Sequence, residues 1–394
     1  MPFEIQAIPE RLVEFTRQIQ LPDDVNQTLF ASSETINRYC YECAIELYNV
    51  LVIGPNLKQW ASVDDLLKQL AFTEKFRYAL TWILRMLHTD HLLEQKTTDK
   101  RHYYRQEVAL PSSQRETLRQ QCIESNPHNA AFIQLLDVAM AAYPAVARGE
   151  ITGEQALFGV GELQLWLDFF HNDNTLYAIN NQIAALVAAD AIESCSKITI
   201  LEFGAGAGSA SDALLAELRK RGRLDCIEAY WVTEPNAFFH RKGQRLLTSK
   251  YPETPFKAQP LDINKPWREQ LTCDRFDLIY SVNTLHVAKN ISFTLDQAKQ
   301  LLPQGWFVAG ECLRPFPQQP VYIEMIFQIL DSFLDVELNT SLRPQPGFLT
   351  PEQWRGWFEN SGFSSYSITP DIETLRDSYD RFITGAICAY HSNQ

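Results

Sequence analysis

The 394-residue chain is short of positive charge: Lys and Arg number 35 against 48 Asp and Glu, a net charge of −13. Non-specific nucleic-acid binding depends on basic surface, and so does docking on an anionic bilayer. Neither nucleic acid nor membrane is expected as a partner. Long apolar runs are also missing. No uninterrupted stretch is long enough to cross a bilayer. The opening MPFEIQAIPERLVEF lacks a basic segment leading into an apolar one, so no secretory signal is expected. The eight cysteines (Cys40, Cys43, Cys122, Cys195, Cys226, Cys273, Cys312 and Cys388) are scattered. That pattern fits reduced thiols in a cytoplasm and not a disulfide framework. Cys40 and Cys43 form C-Y-E-C in a helix-like stretch, with no second pair to complete a zinc site. No metal is expected, and no repeat or low-complexity tract is present.

The length suggests two domains. Residues 10 to 160 read as mostly helical. ETINRYCYECAIELYNVLV has apolar residues at helical spacing. SVDDLLKQL opens on Ser62, an N-cap residue followed by acids. Thr73 is placed to cap a second helix, TEKFRYALTWILRMLH, and HLLEQKTTDKRHYYRQEVAL reads as a β-ribbon. Helix, helix and ribbon outline a winged helix. The acidic chain and an apolar second helix favour a dimerising or substrate-capping module over a DNA reader. More helix follows up to about residue 197.

From Lys197 the pattern changes to alternating strands and helices, the signature of a parallel sheet covered on both faces. KITILEF, IEAYWVTEPN, FKAQPLDI, RFDLIYSVNTLH and WFVAGEC read as strands. Ligands in such sheets lie at the carboxyl ends of the strands. Glu202, Glu234, Asp262, His286 and Glu311 all fall at or just past those ends. FLTPEQWRGWFENSGF reads as a helix with Thr350 as N-cap, Pro351 in its first turn and Gly362 past its end. SSYSITPD and RFITGAICAYH supply two closing strands.

The loop after the first of these strands, LEFGAGAGS, carries alternating glycines at Gly204, Gly206 and Gly208. A dinucleotide fingerprint places a third small residue where Ser209 stands, and a P-loop adds G-K-[ST], which is missing. Glu202 ahead of the glycines suits a ligand with an ammonium group better than a pyrophosphate. S-adenosylmethionine has one. Its amine matches a carboxylate network at Glu202, its ribose hydroxyls match Glu234, and its adenine amino group matches Asp262. Glycines let the backbone come close without Cβ clashes.

L-E-F-G-A-G-A-G-S, V-T-E-P-N, L-D-I, F-D-L-I-Y-S-V-N-T-L-H and A-G-E together resemble class I S-adenosylmethionine-dependent methyltransferases. The nearest resemblance is to the methyltransferase domains of polyketide synthases and their free-standing relatives, over roughly residues 176 to 390. It implies a Rossmann-like α/β sheet, mostly parallel with one antiparallel strand, in residues 176–394. It implies a mainly helical lid or dimerisation domain in residues 1–175, and a cap insertion at 312–348. Cofactor contacts are expected from Glu202, Phe203, Gly204, Gly206, Gly208, Glu234, Asp262, Ile263 and Asn283. The histidine of N-x-L-H and a glutamate after the next strand form the family's catalytic pair; here they are His286 and Glu311. The sequence departs from the pattern in having Glu234 where Asp is common and Gln304-Gly305 for a paired glycine.

The chemistry agrees. Methyl transfer from a sulfonium is an in-line displacement, so the protein supplies position and a base. Imidazole suits the proton of a hydroxyl or activated C–H, and a carboxylate beside it fixes the tautomer. The Pro- and aromatic-rich insertion brings Arg314 and Arg343, which are expected either to hold an acceptor carboxylate or carrier phosphopantetheine, or to be surface arginines. The acceptor is expected to be a small natural-product-like molecule, free or on a carrier protein, methylated on carbon or oxygen. A homodimer is compatible with the helical half. Competing readings are a winged-helix DNA-binding regulator with a ligand-sensing methyltransferase-like domain, and a nucleotide-dependent oxidoreductase.

Overall fold

The computed structural model describes residues 7–19, 23–159 and 161–392. The very start of the chain, on which the absence of a secretory signal was read, lies partly outside them. Among the described residues the chain forms two units. The first takes Gln27–Phe169 and Phe316–Asp335; the second takes Ile8–Asn26, Phe170–Pro315 and the chain from Val336 onward.

The first unit is mainly helical. The helix Asp23–Val50 buries Tyr39, Cys40, Cys43, Ala44 and Leu47. Ser62 caps the helix Val63–Gln69 through a reciprocal pair of bonds with Asp65, so two otherwise orphaned donors are satisfied together. Thr73 does not cap as expected. Its side chain makes no capping bond, a 3-10 turn covers Glu74–Phe76, and the α-helix starts at Arg77. The ribbon forms from β2 (Glu94–Thr98) and β3 (Arg101–Arg105), after the short β1 (Ala61–Ser62) that pairs with β3. Asp99 and Lys100, both at positive φ, make its tight turn.

One helix among the described residues, Asn129–Ala147, is long and apolar enough to cross a membrane by length and composition. Gln134 and Asp137 interrupt it, so it is not an unbroken apolar run. Phe132, Ile133, Leu135, Leu136 and Tyr143 are buried inside the first unit. The segment Phe316–Asp335 packs with this unit. Trp82 Nε1 donates to the Val321 carbonyl at 2.9 Å, and the Tyr143 hydroxyl donates to the Met325 carbonyl at 2.7 Å.

The second unit carries the alternating pattern. Its strands are β4 (Ile198–Phe203), β5 (Ile227–Thr233), β6 (Phe256–Gln259), β7 (Leu278–Val282), β8 (Gln304–Cys312), β9 (Ser365–Thr369) and β10 (Thr384–Ser392). They form one sheet in the order β6-β5-β4-β7-β8-β10-β9. Neighbours pair in parallel up to β8, and β10 runs antiparallel to both β8 and β9. The expected sheet, mostly parallel with one antiparallel strand, is what forms. Central strands buried on both faces read as continuous apolar runs: β7, LIYSV, is buried at every position.

Two strands end earlier than the sequence suggested. β6 stops at Gln259, so Asp262 lies in the turn beyond it. β7 stops at Val282 because Asn283 adopts φ +52°, which turns the chain out of the sheet. His286 then sits in a 3-10 turn, Leu285–Val287. Thr350 caps Pro351–Ser361 reciprocally with Gln353, and Gly362 ends that helix at φ +74°.

A Tyr143→Phe variant should lose about 1–2 kcal/mol in urea unfolding, because the buried Met325 carbonyl is left without its donor. An unchanged transition would contradict the packing of Phe316–Asp335 in the first unit.

Candidate active site

The site is built at the carboxyl ends of β4, β5, β7 and β8. Glu202, next to last in β4, is fully buried. Its Oε2 accepts from the Ser211 hydroxyl at 2.5 Å and the Tyr230 hydroxyl at 2.6 Å. Its Oε1 is buried with no hydrogen-bond partner among the described residues. Burial pushes this carboxyl up to about 7, against the two hydroxyl bonds that hold it down. A buried acceptor of this kind is a place for a donor that the protein itself does not supply.

The glycine loop leaves β4 with three left-handed residues, at φ +67°, +53° and +88° for Gly204, Gly206 and Gly208. Gly204 is required by space as well: a Cβ there would lie 2.4 Å from the Thr284 side chain. A Cβ on Gly206 would meet nothing within 4 Å, so the loop's middle opens onto a cradle. Gly208 starts the helix Ser209–Lys220. Backbone amides at such a helix start favour electron-rich groups.

Glu234, just past β5, reaches back to this loop. Its Oε2 accepts from the Gly206 amide at 3.0 Å and its Oε1 from the Asn236 amide at 2.8 Å. Burial raises this carboxyl, opposed by those amides. Asp262 is half-exposed and makes its bonds within its own turn, to the Asn264 amide at 3.0 Å and Lys265 at 2.9 Å. The Lys265 bond comes first among the causes that hold its carboxyl below the usual range. Beside it, the Ile263 carbonyl accepts from Trp267 Nε1 at 3.2 Å. Phe203 is fully buried at the end of β4.

His286 and Glu311 meet. The imidazole Nδ1 lies 2.6 Å from Glu311 Oε2. Glu311 Oε1 accepts from the Leu285 amide at 2.8 Å and the His286 amide at 3.3 Å. Both side chains are buried, at 6% and 0% exposure. Facing a carboxylate, Nδ1 is the ring nitrogen placed to donate. The Phe348 ring stands edge-on to the imidazole, centroids 4.8 Å apart. Asn283 Oδ1 accepts from Asn180 Nδ2 at 2.6 Å, and the Asn283 amide donates to the Gly310 carbonyl at 2.8 Å.

Neither arginine of the insertion is on the surface. Arg314 and Arg343 are 3% and 1% exposed. Arg314 Nε donates to the Phe348 carbonyl at 3.0 Å. Arg343 donates to the carbonyls of Ala288 and His286.

Several residues of the site went unread in the sequence. Ser211 and Tyr230 hold Glu202 from elements nine and 28 residues away. Gly243 lets a second helix approach the loop, since a Cβ there would sit 3.0 Å from the Ala207 carbonyl carbon. Asn180 and Asn181 are buried polar residues in the mainly apolar helix Thr175–Ala191. Three adjacent amides, Asn180, Asn181 and Gln182, inside AINNQIAALV are a signal that could have flagged them.

No family model matches the chain. Its sequence is 26% identical over 242 residues to the polyketide synthase PksR of Bacillus subtilis, covering 59% of this chain and 9% of that protein. It is 33% identical over 179 residues to the highly reducing polyketide synthase ALT1 of Alternaria alternata, covering 44% of this chain and 6% of that protein. The chain thus spans under a tenth of the length of these relatives. Among solved structures it is similar to the DszA carbon methyltransferase, with TM-score 0.74, 24% identity and 98% of each chain covered. It is similar to the CurJ carbon methyltransferase, with TM-score 0.73, 21% identity, and 97% of this chain and 99% of that one covered. It is also similar to the trans-methyltransferase CalH in complex with SAH, with TM-score 0.63, 17% identity and 92% of each chain covered. The chain has the fold of the carbon methyltransferase domains of polyketide synthases.

Glu202 stands above the ordinary carboxylate range in the fold, so the folded state binds more protons than the unfolded state between about pH 4.5 and 7. Its contribution is least unfavourable at low pH and worsens as pH rises through that window. Glu202→Gln should therefore become more stable than the wild type as pH climbs from 5 to 8, by at most about 3 kcal/mol. Ligand-free thermal melts across that range would show a constant gap if the carboxyl titrated normally.

Proposed function

We propose that this chain transfers a methyl group from S-adenosylmethionine to an acidic carbon of a small polyketide-like acceptor, either free or carried as a thioester. The observation that carries the reading is the buried His286–Glu311 pair, with His286 just past β7, the neighbour of β4, and Glu311 near the end of β8. The carbon methyltransferase structures with the same fold support carbon over oxygen as the acceptor atom.

The residues present fit the cofactor. Glu202, with its unpartnered buried oxygen, would meet the ammonium group, and the loop around Gly206 would lie against the amino-acid and ribose parts. Glu234 would accept from the ribose hydroxyls, and Asp262 with Ile263 would face the adenine. Asn283 lies between the two halves of the site in sequence and would complete the cofactor contacts. When bound, S-adenosylmethionine supplies an electrophilic methyl group on a cationic sulfur.

The chain's own task is to hold and move one proton. His286 would take a proton from the acceptor carbon onto Nε2, and the electron pair left on that carbon would bond the methyl group as the sulfur–methyl bond breaks, its pair staying on sulfur to leave a neutral thioether. Nδ1–H stays on Glu311, whose charge stabilises the imidazolium that results. The ring is nearly dry, which strengthens that stabilisation. The Leu285 and His286 amides fix the carboxylate, so the pair needs little reorganisation.

Incubation with methyl-labelled S-adenosylmethionine should label acceptors that carry a C–H between two carbonyls, with mass spectrometry placing the methyl on that carbon. Label found only on oxygen would move the acceptor assignment; no label on any acceptor, and no binding of the cofactor, would end the reading. His286→Ala should lower turnover about 10²–10⁴-fold while cofactor affinity by calorimetry stays near wild type. Glu311→Gln should fall in the same direction, since it loses the charge that faces the imidazolium. Full turnover in either variant would remove the pair from the mechanism.

A further inference from the structure

Arg343 lies in the segment where the sequence suggested a grip on the acceptor. Its surroundings give it other work. Nη1 donates to the Ala288 carbonyl at 2.7 Å, and Nη2 donates to the His286 carbonyl. Both carbonyls belong to the 3-10 turn after β7 and its C-cap. A planar guanidinium that spans two carbonyls fixes their relative orientation, which an ammonium group cannot do.

The same turn is held from its other side. Glu311 takes its amides, at Leu285 and His286, while Arg343 takes its carbonyls. One short turn is thus gripped between an anion and a cation. Burial lowers the Arg343 guanidinium to about 10, and the charges of Glu311 and Glu337 oppose that fall, so it stays cationic at neutral pH. A buried cation is costly unless its donors are satisfied; both Nη groups of Arg343 are bonded, while its Nε is buried without a hydrogen-bond partner among the described residues. Its backbone placement is also fixed. Arg343 and Asn339 exchange amide-to-carbonyl bonds of 2.9 Å each way, and Asn339 Oδ1 accepts from the Ser341 and Leu342 amides.

We propose that Arg343 is a positioning residue for His286: it holds the carbonyl side of the turn so that the imidazole keeps Nδ1 on Glu311. The proposal rests on His286 being the base.

The test compares wild type, Arg343→Met and Arg343→Lys as full-length protein. Three readouts are taken: cofactor affinity by calorimetry, kcat and acceptor KM separately, and the proton resonance of the imidazole N–H bonded to Glu311. In Arg343→Met, kcat should fall about 100-fold with acceptor KM nearly unchanged, the pattern of a displaced reacting group. Cofactor affinity should hold, and the imidazole N–H resonance should broaden through exchange with water. Arg343→Lys keeps the charge and one bond, and should recover about ten-fold of the loss. A folded Arg343→Met with the resonance intact and kcat near wild type overturns the proposal. So does a raised acceptor KM with unchanged kcat, which would return Arg343 to acceptor binding. If Arg343→Met does not fold, Arg343→Lys decides alone: wild-type kcat and resonance overturn the proposal, and a lowered kcat with a broadened resonance supports it. Failure of the wild type to bind S-adenosylmethionine would sink the methyl-transfer reading, while the resonance comparison would still decide what Arg343 does to the turn.

Discussion

A carboxylate without access to water must find all its donors inside the fold, or the cost of burying its charge runs to several kcal/mol. Glu311 finds three: the imidazole Nδ1 and the amides of Leu285 and His286. Those donors sit on the turn after β7, and Glu311 sits near the end of β8, the next strand of the sheet. The arrangement requires the chain to leave β7 abruptly, which the left-handed Asn283 does. It also requires Thr284 to sit where a side chain on Gly204 would otherwise go. His286, the turn and the glycine loop are therefore linked by one electrostatic demand and one steric one.

The other half of the site has the opposite imbalance. Glu202 and Glu234 lie near one another at adjacent strand ends, and burial raises both. Their partners are hydroxyls and amides, which soften negative charge without cancelling it. A polyphosphate would add anions to this region. A ligand with an ammonium group and a sulfonium would relieve it. The residues whose burial disfavours their own charge are those that suit a cationic ligand.

Local signals in the sequence translated well. Thr350 with Gln353, Ser62 with Asp65 and Gly362 at a helix end are decided by neighbours within a few residues. The glycine loop and the strand-end acids were legible because the parallel sheet dictates where such residues gather. The end of β7 was not: no Gly or Pro marks a break in SVNTLH, and the turn comes from the backbone at Asn283. Of the two readings of Arg314 and Arg343, the surface one fails because both reach inward to backbone carbonyls distant in sequence, which a Pro-rich stretch does not reveal. Ser211 and Tyr230 are ordinary residues until the fold brings them to Glu202.

Beyond Ile8 the chain changes unit at Gln27, Phe170, Phe316 and Val336. Strand β8 therefore ends in the second unit, the twenty residues Phe316–Asp335 build part of the first, and Arg343 follows on the return. Neither unit is a continuous run of sequence. Recombination at any single point would hand one partner an incomplete core and the other a stray piece of it.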